Sequence, residues 1–158
     1  MYMAACGGQP MSDRTLVAYF TKGGATARYA EIIAQTLTAA GHHVDLVNLR
    51  QERKPELSPY RNIVLGTGVR IGLVYRVARR FLRRNDFHGK RLAIFLSSGI
   101  AIEDAERSRE SFLLPLIRKY QLEPILIEAL PGHMPRDEHD TVEPEKARAW
   151  ARKLIALL

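Results

Sequence analysis

The sequence predicts an α/β domain: a doubly wound, five-stranded parallel sheet of order 2-1-3-4-5 with helices on both faces. Two observations predict it. Short apolar runs alternate with helical patterns along the chain, which makes right-handed βαβ units. Three of the runs, at Leu16–Phe20, Ile63–Leu65 and Leu92–Leu96, are apolar nearly throughout, as strands covered on both faces are. Five such units fit that strand order, and 158 residues suit one domain with a sizeable core.

Each element has its own signal. A strand is expected at about Arg14–Phe20, and a helix at Ala25–Ala40 closed by Gly41. "HHVDLVNL" (42–49) alternates toward one face and reads as the second strand, followed by a polar, proline-containing surface connection, "RQERKPELSPY". "NIVLGT" (62–67) is a short apolar third strand, and "LVYRVARRFLRRN" (73–85) a helix. "RLAIFLSS" (91–98) is the fourth strand. The next pattern, 103–120, is helical with Pro115 inside it, so a kink or break is expected there. "EPILIEAL" (123–130) is the fifth strand. A last helix begins near Pro144, where proline is tolerated, and holds Trp150 as a core anchor.

Composition narrows the function. Apolar residues are 46% and charged residues 26%, a globular balance. No apolar run approaches the ~18 residues of a membrane helix. The opening "MYMAACGGQP" lacks the basic segment and long apolar stretch of a secretory signal, and residues 1–12 are expected to be loose ahead of a domain at 13–158. A single cysteine, Cys6, rules out an intramolecular disulfide and fits a reducing cytoplasm. The five histidines show no HExxH-type ligand pair, so no metal is expected. A net charge of +7 favours an anionic partner or a solvated basic surface.

In sheets of this order ligands bind at the carboxyl ends of the strands, between the first and third. Three loops therefore matter: Thr21–Thr26, Gly66–Gly72 and Ser97–Asp104. In the first, the hydroxyls of Thr21 and Thr26, the flexible Gly23 and Gly24, and a helix N-terminus suit an anion, though a plain strand–helix turn has the same look. No G-K-[ST] follows, so it is not a Walker A loop. In the second, glycines at 66, 68 and 72 let backbone run beside a planar ligand, with Val69 and Ile71 to pack on a ring and Arg70 to reach an anion or solvent. In the third, Ser97, Ser98 and Gly99 can donate backbone hydrogen bonds to a ligand edge or simply enter a helix. A receiver-type regulator would need an aspartate where Gly66 stands, and a hydrolase would need a G-x-S-x-G elbow; both are absent.

These loops resemble the flavodoxin family. "TKGGATARYAEIIA" is similar to its phosphate loop, with Thr21, Gly24 and Thr26 in matching places. "NIVLGTGVRIGLVYRVARRFLRRN" is similar to its third strand, flavin loop and helix, and "KRLAIFLSSGIA" to the next strand and second flavin loop. The Arg70-Ile71-Gly72 passage resembles the branch containing menaquinone-dependent protoporphyrinogen oxidases. The resemblance implies a flavodoxin-like fold, FMN as cofactor, and either electron transfer or an oxidoreductase activity. It implies that Thr21, Lys22, Gly23, Gly24, Ala25 and Thr26 hold the phosphate. Thr67, Gly68, Val69, Arg70, Ile71 and Gly72, with Ser97, Ser98, Gly99, Ile100 and Ala101, would flank the isoalloxazine. No acid–base residue is implied, because the flavin carries the redox step. A redox partner protein, a quinone or another small molecule would exchange electrons with it.

Three features depart from that pattern. Neither flavin loop contains Trp, Tyr or Phe. The chain is basic where electron-carrier flavodoxins are typically acidic. Only "HMPRDEHDTV" stands where the oxidase branch has a long insertion. They sustain an alternative: a non-enzymatic binding module with a degenerate flavin site and a basic docking face. That face is Arg76, Arg79, Arg80, Arg83 and Arg84, at helical spacing opposite Val74, Val77, Ala78, Phe81 and Leu82. It is either solvated or docks an acidic protein or an anionic membrane surface. No aromatic interleaving points to nucleic acid.

Overall fold

A computed structural model describes residues 13–133 and 138–158. The expectation of a loose 1–12 segment lies outside them. The strands are β1 (Arg14–Tyr19), β2 (His43–Asn48), β3 (Asn62–Arg70), β4 (Leu73–Val74), β5 (Arg91–Ser98) and β6 (Leu126–Pro131). The helices are α1 (Ala25–Ala39), α2 (Arg76–Arg84), α3 (Ala105–Ser108), α4 (Leu114–Lys119) and α5 (Pro144–Ile155). The parallel sheet runs β2-β1-β3-β5-β6, with β4 paired only to β3. Setting β4 aside, that is the expected 2-1-3-4-5 order.

Apolar alternation along the central strands divides the core between two layers. Leu16, Ala18, Ile63, Leu65, Leu92, Ile94 and Leu96 face one side, with Ala78, Phe81 and Leu82 of α2. Val17, Val64, Ala93 and Phe95 face the other, with Tyr29, Ile33 and Leu37 of α1 and Trp150 of α5. Trp150 is the expected anchor, 2% exposed and set edge-on to Phe95 at 5.8 Å.

Two expectations are corrected. The third strand does not end at Thr67. It continues through Gly68 and Val69 to Arg70, because β4 folds back on it with Val69 opposite Val74 and Arg70 opposite Leu73. The supposed loop 66–72 is therefore mostly strand, and its turn is only Ile71-Gly72. Both turn residues have positive φ, 51° and 73°, as a two-residue hairpin turn of type I′ requires. The polar connection at 50–60 is likewise not wholly on the surface, since Pro55 is buried and Leu57 joins the core. At Pro115 the helix neither breaks nor runs on unchanged: a π-helical turn at Arg109–Leu113 joins α3 to α4 and places the proline near the start of α4, where its missing N–H costs least.

Candidate functional site

The cleft forms at the carboxyl ends of the strands. After β1 the chain bonds to β3 once more, from Phe20 N–H to the Gly66 carbonyl at 3.0 Å, and then turns into α1. Gly24 makes that turn at φ 92°, and its N–H donates to Thr21 Oγ1 at 2.9 Å. A β-carbon there would strain the backbone. No side chain caps α1 and no acidic residue lies in its first turn. Its first N–H groups, with the positive end of the helix dipole, face the cleft with no competing carboxylate among the described lining residues.

Thr26 is 1% exposed, and its hydroxyl meets Ser97 Oγ at 2.8 Å. This bond ties the first loop to the end of β5. Gly68 stands beside it: a β-carbon at 68 would approach Tyr75 at 3.0 Å and Thr26 Oγ1 at 3.4 Å. Tyr75 packs edge-on against Phe20 at 5.2 Å, and Lys22 Nζ lies 5.8 Å from its ring. Burial raises the Tyr75 phenol above its ordinary value, and Arg70 draws it partly back.

A cavity of about 50 Å³ is lined by Thr21, Gly23, Ala25, Thr26, Gly68, Val69 and Ser97, together with Tyr75, Gly132 and His133. All three expected loops thus reach one place. The expected residues do not all face it. Thr67 is inside the sheet with its hydroxyl on the Gly68 carbonyl. Lys22 is exposed, and Arg70, Ile71 and Gly72 form the exposed hairpin end. Ser98 turns away to Ser108 Oγ at 2.6 Å and accepts from Ala101 N–H. Ala101 is buried, Gly99 exposed and Ile100 half-buried.

A fourth loop was missed. Gly132 N–H donates to the Ser98 carbonyl at 2.8 Å, which brings His133 to the cavity after β6. Its signal was "LPGH" at the end of the fifth parallel strand, a carboxyl end outside the switch point. Thr141 holds this loop by donating to the Gly132 carbonyl, 3.4 Å from His133 Nδ1. A wider cleft of about 340 Å³ opens between 85–90 and 120–123. It lies at the amino ends of β5 and β6, away from the loops that this fold uses for ligands.

The donor set at the small cavity is hydroxyls, helix N–H groups and nearby Lys22, with no carboxylate on the lining among the described residues. That suits a phosphate monoester. At about 50 Å³ the cavity is far below the ~300–1,000 Å³ of sites that enclose a whole ligand. A phosphate seated there leaves the rest of its molecule on the surface beside Val69 and the hairpin.

The family model described as "Flavodoxin domain" matches residues 16–143. Oxidised Flavodoxin 2 from Bacillus cereus superposes with a TM-score of 0.66 at 25% identity, over 92% of this chain and 99% of that one. Oxidised Flavodoxin 1 from Bacillus cereus gives 0.63 at 18% identity, over 92% and 99%. Protoporphyrinogen IX dehydrogenase [quinone] from Escherichia coli strain K12 is 25% identical over 97 residues, 61% of this chain and 52% of that protein. The chain spans about half the length of the curated relatives it matches.

Proposed function

Because the chain belongs to the flavodoxin-domain family, whose members are FMN-binding redox proteins that pass electrons to partners, we propose that this cleft holds FMN and that the protein reduces a quinone-class acceptor. The observation that carries the reading is the convergence of Thr21, Gly23, Thr26, Gly68 and Ser97 on one cavity at the N-terminus of α1, with no carboxylate among the described residues that line it. The partial match to a quinone-linked dehydrogenase supports the acceptor class.

FMN, when bound, supplies the one- and two-electron redox chemistry. The chain's own residues bind and orient. Thr21, Lys22, Gly23, Gly24, Ala25 and Thr26 would hold the phosphate through N–H groups, hydroxyls and the lysine charge. Gly68, Val69, Arg70, Ile71 and Gly72, with Ser97, Gly99 and Ile100, would hold the ring system. Thr67, Ser98 and Ala101 support these walls from inside the fold. Tyr75 supplies the aromatic surface that both expected flavin loops lack, and this weighs against a degenerate site.

The test is Gly23→Asp. Gly23 is exposed, and a β-carbon there meets only the His133 carbonyl at 3.7 Å, so the fold tolerates the change. Its carboxylate would face the phosphate. Like charges ~4 Å apart at an effective dielectric near 20 repel by about 4 kcal/mol, roughly a thousandfold in affinity. Titration of the two apoproteins with FMN, followed by flavin fluorescence, reads the loss. Equal affinities would remove the phosphate from this loop.

A further inference from the structure

The loop after β6 brings an imidazole, His133, to the lining of the small cavity. It meets the first loop there: a β-carbon on Gly23 would lie 3.7 Å from the His133 carbonyl. Thr141 has one hydroxyl proton, and the Gly132 carbonyl takes it. Its oxygen can therefore only accept from the imidazole, 3.4 Å from Nδ1, so Nδ1 holds the proton of the neutral ring. Nε2 is left with no hydrogen bond among the described residues. Neutral, it presents a lone pair, which opposes a phosphate oxygen. Protonated, it is a cationic donor, which attracts one.

The groups around the ring suit a cation. Arg28 of α1 grips Asp140 with two bonds, at 2.9 and 2.8 Å, and ties this segment to the helix. Arg28 and the Val142 N–H hold the Asp140 carboxyl below its ordinary range, and the nearby His133 adds to that. Glu143 faces Lys146 at 3.3 Å. Tyr29 in α1 is pushed up to about 12 by burial, and burial raises Tyr75 across the cavity, so both phenols stay neutral. Lys22 on the first loop is a second cation, exposed to water.

We propose that His133 recognises the phosphate of the cofactor as an imidazolium, so that binding takes up a proton and weakens as pH rises through neutrality. The inference rests on the FMN reading of this cavity and adds to it a residue from outside the three loops. One proton moves from solvent to Nε2 as the phosphate enters, and no bond of the ligand breaks. The N–H groups of α1 and Lys22 act throughout this pH range, whereas an imidazole changes charge within it.

Fluorescence titration of the full chain with FMN and with riboflavin tests it. Wild type is compared with His133→Gln and His133→Lys at about pH 6 and about pH 8.5. Comparing proteins at one pH cancels the phosphate's own titration. At the lower pH His133→Gln is expected to bind FMN about tenfold more weakly than wild type, and at the higher pH about equally. His133→Lys, charged at both, is expected to bind FMN about tenfold more tightly than wild type at the higher pH. Riboflavin, which lacks the phosphate, is expected to be indifferent to either change. Circular dichroism confirms that both variants fold. A glutamine deficit equal at the two pH values, no deficit at either, or an equal loss of riboflavin overturns the proposal and leaves the phosphate loop standing. Wild-type affinity for FMN no better than for riboflavin removes the phosphate from the cavity and overturns both readings.

Discussion

At the scale of single residues, the cleft depends on small side chains in confined places. A β-carbon on Gly66 would come within 2.1 Å of Phe95 Cζ, on a buried ring set edge-on to Trp150. Gly66→Ala therefore forces the ring and its neighbours aside, a destabilisation of about 1–3 kcal/mol or more. Urea unfolding measures it, and an unchanged midpoint would mean that the ring moves freely. Ile71 makes the opposite case. Ile71→Asn places a left-handed residue in a left-handed position and removes exposed aliphatic surface. It is expected to stabilise the fold by roughly 1 kcal/mol, read as a higher urea midpoint.

At the scale of elements, Tyr29 joins three of them. From inside α1 its hydroxyl donates to the Pro131 carbonyl at the end of β6 and accepts from the Glu143 N–H ahead of α5. Burial pushes its phenol up to about 12 from an ordinary 10.0. Tyr60 is also pushed up to about 12, by burial first and then by its hydrogen bond to Asp45. A raised folded value means that the native state keeps a proton the unfolded chain releases. This stabilisation is complete below pH ~10 and is lost as pH rises through about 12. Tyr29→Phe should flatten that alkaline loss. It should also lower neutral stability by about 1–3 kcal/mol, because the buried Pro131 carbonyl and the part-buried Glu143 N–H both lose their partner. Stability curves against pH check both. Most element positions were legible because one physical signal dominated each. α1 ends within a residue of the expected place, since Gly41 takes the left-handed turn its position demands. The hairpin was not legible: Gly66, Gly68 and Gly72 read as loop, while a two-residue strand and a turn begun by isoleucine have no propensity to announce them. The arginine stripe was legible as spacing but not as environment. Arg79 and Arg80 are half-buried, and Arg79 Nε is buried with no hydrogen-bond partner among the described residues.

At the scale of the whole molecule, the strand order and two-layer core were readable from the rhythm of the sequence, because covered strands must be apolar throughout. The site was readable as three loops, and its fourth wall, Gly132 and His133, only from the fold. No helix of the described residues is long and apolar enough to cross a membrane. If the cleft holds FMN, the native state gains RT ln(1 + [FMN]/Kd), about 2.7 kcal/mol at a hundredfold excess over Kd. Thermal unfolding should then shift upward with added FMN, while Gly23→Asp should show no shift at the same concentration. The bond between Thr26 and Ser97 joins positions 71 residues apart in the chain. No contiguous fragment short of that span contains both halves of the cradle, so a growing or clipped polypeptide has nothing with which to grip the flavin. Yellow colour retained through a desalting column would then serve as a census of intact molecules in a preparation.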